Sequence, residues 1–474
     1  MTSKTITIAG WALVLLLVVI TGLITVHRAH SGSNDFDTFY HAGRSVYTAE
    51  GLYYEGEYYQ EVSDRGPFLY PPFAACVLAA FAVFPLSFAA FFWNAFNLGL
   101  FVLIVMAIFD LLGFKPGDWR ALWQRAAWPD RLVALIMSLA ILLDNLTMAQ
   151  INILVFSLTL SALWLWRHAR PWLAGLMLAA AIMIKMTPAI FVLYWIVRRQ
   201  WKMLGGVLIG LLVFTAVLPS LCFGFEKNLL YHRQWLGRTV KPFVVEVQAA
   251  LDPEAPHPLK QSAAMTQHNR LTGMLVAKNQ SLEAALTRLL LKDRARYGYE
   301  PYPIYVARKY EKMPVLFGGL PQQALRAVIR LIEAAMVIGL IYLWHQGRKR
   351  PPEASRLAMG GRDDRPGRAA EWGLLFLTMT LLAPWARSHQ FVSWLFAYGT
   401  LLSLPKIPEA QPWQSRLLFC GRFACVLYLL QGVPYGKAAG LGMWANLTLW
   451  TGFFVFLCQL RFTAKLKDSN RVLA

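Results

Sequence analysis

The sequence predicts an all-α polytopic membrane protein, and three observations carry that expectation. Apolar residues make up 57% of the chain and charged residues only 15%, a balance far from that of a soluble domain. Apolar runs of roughly 15 to 25 residues recur over the whole length, each the size of a candidate span. The basic residues behind a formal net charge of +20 are interrupted by those runs and collect in loops, as the positive-inside bias of membrane proteins requires. That distribution accounts for most of the charge, so no nucleic acid is expected as a partner.

Residues 6–26 form the first apolar run, after Lys4. The run exceeds the roughly 7 to 15 residues of a signal-peptide core and has no convincing small-residue cleavage site behind it, so it is expected to stay as a span. Further spans are predicted at 70–84, 88–112, 131–146, 150–167, 171–184, 186–198, 203–219, 322–345, 372–384, 390–404, 415–432 and 440–460. Several are too short to cross ~30 Å at 1.5 Å per residue unless broken or re-entrant.

Clusters at Arg167/Arg170, Arg198/Arg199/Lys202, Arg348/Lys349/Arg350 with Arg356, Arg362, Arg365 and Arg368, and Arg461/Lys465/Lys467 mark the cytoplasmic side. With the N-terminus inside, 131–167 then makes one net crossing, as a re-entrant piece plus a helix, and the count is about 12 transmembrane helices with both termini inside. Segments 27–69, 220–321 and the short Trp385 to His389 fall outside, and the tips at 147–152 and 185–188 approach the same face. The expected organisation is a transmembrane core over 1–219 with its first outer loop at 27–69, a long outer loop at 220–321, and C-terminal helices over 322–474. A Pro/Gly/Arg-rich cytoplasmic linker is expected at 346–370.

Several classes lose ground on sequence alone. There is no Walker A, no Gly-rich dinucleotide fingerprint and no His-Glu-x-x-His, and no evident internal repeat of the kind inverted-repeat transporters show. Cys76, Cys420, Cys425 and Cys458 lie in or beside apolar runs and Cys222 borders a long loop. Neither a disulfide framework nor a Cys-rich zinc site is expected, and the thiols read as packing residues.

Polar residues in unusual places carry the chemistry. In the first outer loop Phe36, Phe39, Tyr40, Gly43, Val46 and Tyr47 recur at helical spacing, which suits a short amphipathic helix along the membrane surface, with Asp35 and Asp37 at its start. Asp35 there is either an N-cap or a general base able to deprotonate an acceptor hydroxyl. A single-displacement sugar transfer needs one such base, where a hydrolase needs two flanking carboxylates. Asp35 and Asp37 together could also hold a divalent cation, which stays open as a cofactor.

Tyr70-Pro71-Pro72 marks a helix start, because proline suits the first turn and holds its predecessor extended. Lys185, apolar on both sides and followed by Thr187-Pro188, is expensive at a span end unless it snorkels or meets an anion such as a phosphate. The long outer loop holds Gln267-His268-Asn269-Arg270 and Asn279-Gln280-Ser281-Leu282, followed by Arg288, Lys292, Arg294 and Arg296. That charge is either a solvated face or an anion site on the outer side. His389, beside Arg387, is either structural or placed to hold a phosphate or orient an acceptor.

These motifs taken in order are Asp35-Phe36-x-x-Phe39-Tyr40-x-Ala42-Gly43, Tyr70-Pro71-Pro72, Ala149-Gln150-Ile151-Asn152, Ala174-Gly175 through Lys185-x-x-Pro188, Asn279-Gln280-Ser281-Leu282 with Arg288, and Pro384-Trp385-x-x-Ser388-His389. Together they resemble the DUF2029 or glycosyltransferase family 87 proteins, over about residues 30–400. The resemblance implies the GT-C fold, Asp35 as catalytic base with Asp37 sharing or taking that role, and a donor sugar carried on a polyprenyl phosphate and inverted on transfer. Lys185, Arg288, Arg387 and His389 would then bind the donor phosphate, and Tyr40, Tyr70, Gln150, Asn152, Gln280 and His268 the substrates. Many relatives have Gly where this chain has Ala149, a departure expected to alter packing more than chemistry.

An outward-facing site has no ready nucleotide sugar, so an activated sugar must arrive by lipid and leave its phosphate to be stabilised there. The expected function is transfer of a hexose, mannose first, from a polyprenyl-phosphate donor to an extracytoplasmic glycolipid or glycan. The expected place is the plasma (inner) membrane, with membrane lipid around the spans. A transporter or flippase of a lipid-linked sugar would use the same basic groups without a base. A scaffold subunit of an envelope assembly would need neither Asp35 nor Lys185.

Overall fold

The structure, a computed structural model, describes residues 3–48, 50–53, 68–115, 118–239, 279–292, 319–348, 365–383, 386–404, 411–433, 436–437 and 439–473. Among the described residues the chain is all-helical, apart from an isolated parallel bridge between Leu291 and Leu320. It divides into two compact units. The first contains Met1–Ile108, Ser138–Ala189 and Gln200–Lys241, and the second Phe109–Met137, Ile190–Arg199 and Pro242–Ala474.

Four helices among the described residues are long and apolar enough to cross a membrane: Leu86–Leu111, Trp201–Phe223, Gln322–Gly347 and Leu441–Phe462. They match predicted spans. The predicted pieces at 70–84, 150–167, 171–184 and 186–198 appear as shorter apolar helices, Pro72–Ala82, Asn152–Arg167, Pro171–Ile184 and Thr187–Val197. The segment expected to supply a re-entrant piece is a continuous helix, Trp128–Thr147, of 20 residues, about 30 Å long at 1.5 Å per residue. The helix Arg365–Leu381 begins before the predicted span, so the expected loop over 346–370 gives way to helix by Arg365.

In the first unit α1 (Ser3–His30) leads to α2 (Phe36–Arg44), and α3 (Pro72–Ala82) follows. The short helix predicted after Asp35 is therefore present. Its apolar face differs from the expectation of a surface helix, because Phe36, Phe39, Tyr40 and Gly43 are buried inside the protein. Gly43 explains how: a Cβ there would run into the backbone of Leu78 and into Ala82, so only glycine lets α2 lie this close to α3. Trp93 of α4 (Leu86–Leu111) is fully buried and sits 6.1 Å from the Phe36 ring, 6.3 Å from Phe39 and 5.1 Å from Phe81. These aromatic contacts fix the height and rotation of α2.

Helix α3 opens as the sequence predicts, with Pro71 extended (φ −57°, ψ 157°) and Pro72 in the first turn. Further on, Trp201–Phe223 contains a π-helical turn at Val213–Val217 followed by Pro219. Proline has no N–H to offer the carbonyl one turn back, and in an apolar setting that carbonyl needs another donor. Asn228 of the following helix, Phe225–Thr239, supplies it, donating from Nδ2 to the Thr215 carbonyl at 3.0 Å.

The second unit packs Ile190–Val197, Gln322–Arg348, Arg365–Leu381, Trp394–Ser403, Gln411–Leu430 and Leu441–Leu473 around buried Trp344, Trp394, Tyr194, Phe376 and Phe391. At its centre Glu371 accepts hydrogen bonds from both Arg198 and Arg461, and the Tyr194 hydroxyl donates to the same carboxylate at 3.2 Å. Gly347 leaves room for the cluster, since a Cβ at that position would press on Arg461, Glu371 and Arg198. All five cysteines are free.

Candidate active site

Asp35 stands at the N-cap position of α2, yet its carboxylate makes no cap bond. Asn34 does that work instead, its Oδ1 accepting from the Phe36 N–H at 3.1 Å while its Nδ2 donates to the Thr25 carbonyl at 3.1 Å. The N-cap reading of Asp35 is corrected here: the neighbouring amide satisfies the helix start, and the carboxylate turns to another partner.

That partner comes from the turn between Trp128–Thr147 and Asn152–Arg167. Gln150 Nε2 donates to Asp35 Oδ2 at 2.5 Å. Asn152 Nδ2 donates to Gln150 Oε1 at 3.3 Å, and Lys185 Nζ donates to Asn152 Oδ1 at 2.8 Å. Asp35 and Lys185 are half-buried, whereas Gln150 and Asn152 are sealed, at 1% and 5% exposure. A single chain of hydrogen bonds in the first unit thus joins four residues from three motifs that the sequence singled out separately.

The turn is held by backbone contacts. The Asp35 N–H donates to the Met148 carbonyl at 3.4 Å, and the buried Trp93 donates from Nε1 to the Ala149 carbonyl at 2.9 Å. Ala149 has φ +51°, the left-handed region where a Cβ costs roughly 1–2 kcal/mol. The departure from glycine at this position is therefore a backbone matter as well as one of packing.

Lys185 is placed by the end of a helix. Pro171–Ile184 stops one residue before it, and Lys185 is extended (φ −151°, ψ 124°), because Pro188 cannot donate back to the last turn. The ammonium has a buried side-chain amide among its partners.

Asp37 is buried at 9% exposure, with His41 Nε2 at 3.4 Å and the other ring nitrogen of His41 3.9 Å from Glu50. The Tyr40 hydroxyl donates to the Phe84 carbonyl at 3.0 Å. Tyr70 is half-buried, its ring edge-on to Phe39 and its carbonyl accepting from the Tyr53 hydroxyl at 2.5 Å. Among the described residues no group of three His, Cys, Asp or Glu side chains is placed to hold a metal ion.

The remaining sequence candidates lie in the second unit. Arg288 falls on the helix Leu282–Leu290 and is fully buried, its guanidinium donating to the Asn279 carbonyl at 2.7 Å. A solvated loop face is thus excluded for Arg288. Gln280 is buried, donating to the Lys437 carbonyl at 2.9 Å and accepting from the Gly442 N–H at 3.1 Å. Asn279 Oδ1 accepts from the Ala386 N–H at 3.1 Å, which ties this segment to the one carrying half-buried Arg387 and buried His389. His268 lies outside the described residues, as do Pro384 and Trp385.

Trp93 was not anticipated, although its neighbours Asn94 and Asn97, polar in an apolar run, were a signal. Asn94 Nδ2 donates to Thr21 Oγ1 at 2.8 Å and Thr25 Oγ1 donates to the Leu146 carbonyl at 3.0 Å. These bonds tie α1, α4 and Trp128–Thr147 together just beneath Asp35's turn.

Residues 68–361, more than half of the chain, match glycosyltransferase family 87. A polyprenol-phosphate-mannose-dependent alpha-(1-2)-phosphatidylinositol mannoside mannosyltransferase of Mycolicibacterium smegmatis is 31% identical over 175 residues, covering 35% of this chain and 39% of that protein. A polyprenol-phosphate-mannose-dependent alpha-(1-2)-phosphatidylinositol pentamannoside mannosyltransferase of Mycobacterium tuberculosis is 31% identical over 235 residues, covering 48% and 51%. An alpha-(1->3)-arabinofuranosyltransferase of Corynebacterium glutamicum is 29% identical over 213 residues, covering 44% and 47%. The chain spans about two fifths to one half of the length of these relatives. No solved structure matches it.

Proposed function

The chain belongs to glycosyltransferase family 87, and from that membership and the setting of Asp35 we propose that it is a membrane transferase moving a hexose, mannose first, from a polyprenyl-phosphate donor to a glycolipid or glycan. The observation that carries this reading is a half-exposed carboxylate, freed from capping and aimed by a buried amide, in the same hydrogen-bonded chain as a half-exposed ammonium. One end of that chain suits a proton and the other an anionic phosphate.

The reaction is a single displacement. The acceptor hydroxyl gives its proton to Asp35 while its oxygen bonds to the sugar's anomeric carbon. The bond from that carbon to the phosphate oxygen breaks, and the polyprenyl phosphate leaves with the electron pair. The anomeric centre inverts, because attack and departure are on opposite faces. A positioned base contributes typically 10²–10⁴-fold, and a fixed cation at the leaving phosphate stabilises the charge that develops there.

The relatives support the donor class more firmly than the sugar. Two are named for polyprenol-phosphate mannose and a third for arabinofuranose. Under this reading Asp37 tunes the base or meets the acceptor, and Lys185 holds the donor phosphate. Half-buried Tyr70 lines the substrates. The fold is GT-C, and the site faces the extracytoplasmic side of the plasma membrane.

The test is to incubate the purified protein in nanodiscs with a panel of radiolabelled polyprenyl-phosphate sugars and host membrane lipids. A labelled product with a new glycosidic bond is the expected result, and the donor that yields it names the sugar. Labelled donor that binds or changes leaflet without yielding product from any sugar would replace the transferase by a lipid-sugar transporter.

A further inference from the structure

Between Lys185 and Asp35 every donor points the same way. The ammonium donates to the Asn152 carbonyl oxygen, the Asn152 amide nitrogen to the Gln150 carbonyl oxygen, and the Gln150 amide nitrogen to the Asp35 carboxylate. Each amide has its oxygen toward the cation and its nitrogen toward the anion, so the dipoles align and each bond polarises the next. Turning either amide over would set an oxygen against the carboxylate or an NH₂ against the ammonium.

Exposure follows a second pattern. The two charged ends are half-buried, and the two amides between them are closed off at 1% and 5% exposure. A ligand reaches the ends of this chain and not its middle. Direct contact with a sugar, which the sequence suggested for Gln150 and Asn152, does not suit side chains sealed in this way.

We propose that Gln150 and Asn152 are positioning residues, forming a one-way amide relay that holds Asp35 by one carboxylate oxygen and couples it to the occupancy of Lys185. The proposal rests on the reading of Asp35 as base and Lys185 as the phosphate ligand. With the donor absent, the ammonium polarises Asn152 and Gln150, and the strengthened Gln150 N–H holds electron density on Asp35 Oδ2. A phosphate arriving at Lys185 neutralises the ammonium and competes with Asn152 for its protons, so the relay slackens and the carboxylate accepts a proton more readily. Asp35 Oδ1 lies outside the relay and takes the acceptor's proton. The base is thereby readied when a donor is in place.

Charged or titratable side chains on the elements around Asp35 include Arg28, His30, Asp37, His41, Arg44 and Asp144, and the amide variants leave all of them unchanged. The experiment is steady-state transfer from labelled polyprenyl-phosphate mannose by the full-length protein in nanodiscs, for Gln150→Leu, Asn152→Leu, Gln150→Glu, Lys185→Gln and Asp35→Asn. The two leucine variants are expected to lower kcat by roughly 10–100-fold with donor KM nearly unchanged, as for interactions that matter in the transition state. Lys185→Gln is expected to raise donor KM.

Gln150→Glu supplies a readout that loss of structure would not mimic. Ionised, the new carboxylate repels Asp35 and cannot donate; protonated, it donates as the amide did. Its turnover relative to wild type is therefore expected to rise as pH falls from about 8 toward 6. A Gln150→Glu profile parallel to wild type, or leucine variants that raise KM at unchanged kcat, would overturn the relay. Turnover surviving in Asp35→Asn would instead overturn the base itself, so the two failures are distinct.

Discussion

Two clusters of buried or half-buried charge, one in each unit, are built on opposite principles. Around Glu371 the charges touch one another: two guanidiniums and a tyrosine hydroxyl close on one carboxylate, and side-chain exposure is 4% for Glu371, 16% for Arg198 and 12% for Arg461. Around Asp35 the opposite charges are held apart by two neutral amides, and both charged ends stay half-exposed. A cluster that satisfies itself organises helices. One that keeps its charges separated and reachable retains the capacity to act on something else.

That comparison can be broken or sharpened by substitution, beginning with the largest effect. Glu371→Ala leaves two arginines without their carboxylate, a loss of about 3–5 kcal/mol for a broken buried pair. The expected result is a large fall in the unfolding temperature in detergent, with turnover per folded molecule unchanged. A stable Glu371→Ala protein that had lost its turnover would reverse the roles assigned to the two clusters.

Lys185→Gln removes a charge expected to meet phosphate, worth about 1.5–3 kcal/mol for a charge-assisted bond. Donor KM should rise accordingly, about 10–150-fold, with little change in the unfolding temperature. Equal donor KM in the two proteins would detach Lys185 from the phosphate. Ala149→Gly should be milder, since glycine relieves the left-handed backbone of the turn and gains of order 1 kcal/mol or less after its entropic cost. A slightly higher unfolding temperature with full turnover is the expected outcome. A drop would mean that the methyl packs more than the backbone strains.

The smallest effect is one of pH. Burial holds His232 below the usual histidine range, against the opposing hydrogen bond to the Asn228 carbonyl. Its folded form therefore favours the neutral ring. The stability it contributes is present above about pH 6.5, the unfolded value, and is lost as pH falls below that. Hydrogen-exchange protection in Phe225–Thr239, taken relative to the intrinsic rate at each pH, should fall toward pH 5.5 in wild type and less so in His232→Gln.

Local signals in the sequence were read well and long-range pairings were not. Pro71-Pro72 and the aromatic spacing after Asp35 announce α3 and α2 because proline geometry and helical periodicity act within a few residues. Nothing local says that Lys185 meets Asn152, 33 residues away, or that Gln150 meets Asp35, 115 residues away. The same holds for Arg288, whose run of basic neighbours suggests a solvated face while the fold buries it against Asn279. Glu371 was overlooked as a lone acid at the edge of an apolar run. Its meaning depends on Arg198 and Arg461, 173 and 90 residues distant. Ala149 is an intermediate case, because the sequence marks the position as a departure that alters packing, while its left-handed backbone is visible only in the structure.

The central claim is that Asp35, rather than its neighbour Asp37, is the base. The most direct measurement is single-turnover transfer from labelled polyprenyl-phosphate mannose by Asp35→Asn and Asp37→Asn, with donor binding measured on the same samples. The account predicts that Asp35→Asn binds donor as wild type does but forms product about 10²–10⁴-fold more slowly, while Asp37→Asn retains most of the rate. Wild-type rates in Asp35→Asn, or the full loss falling on Asp37→Asn, would contradict it.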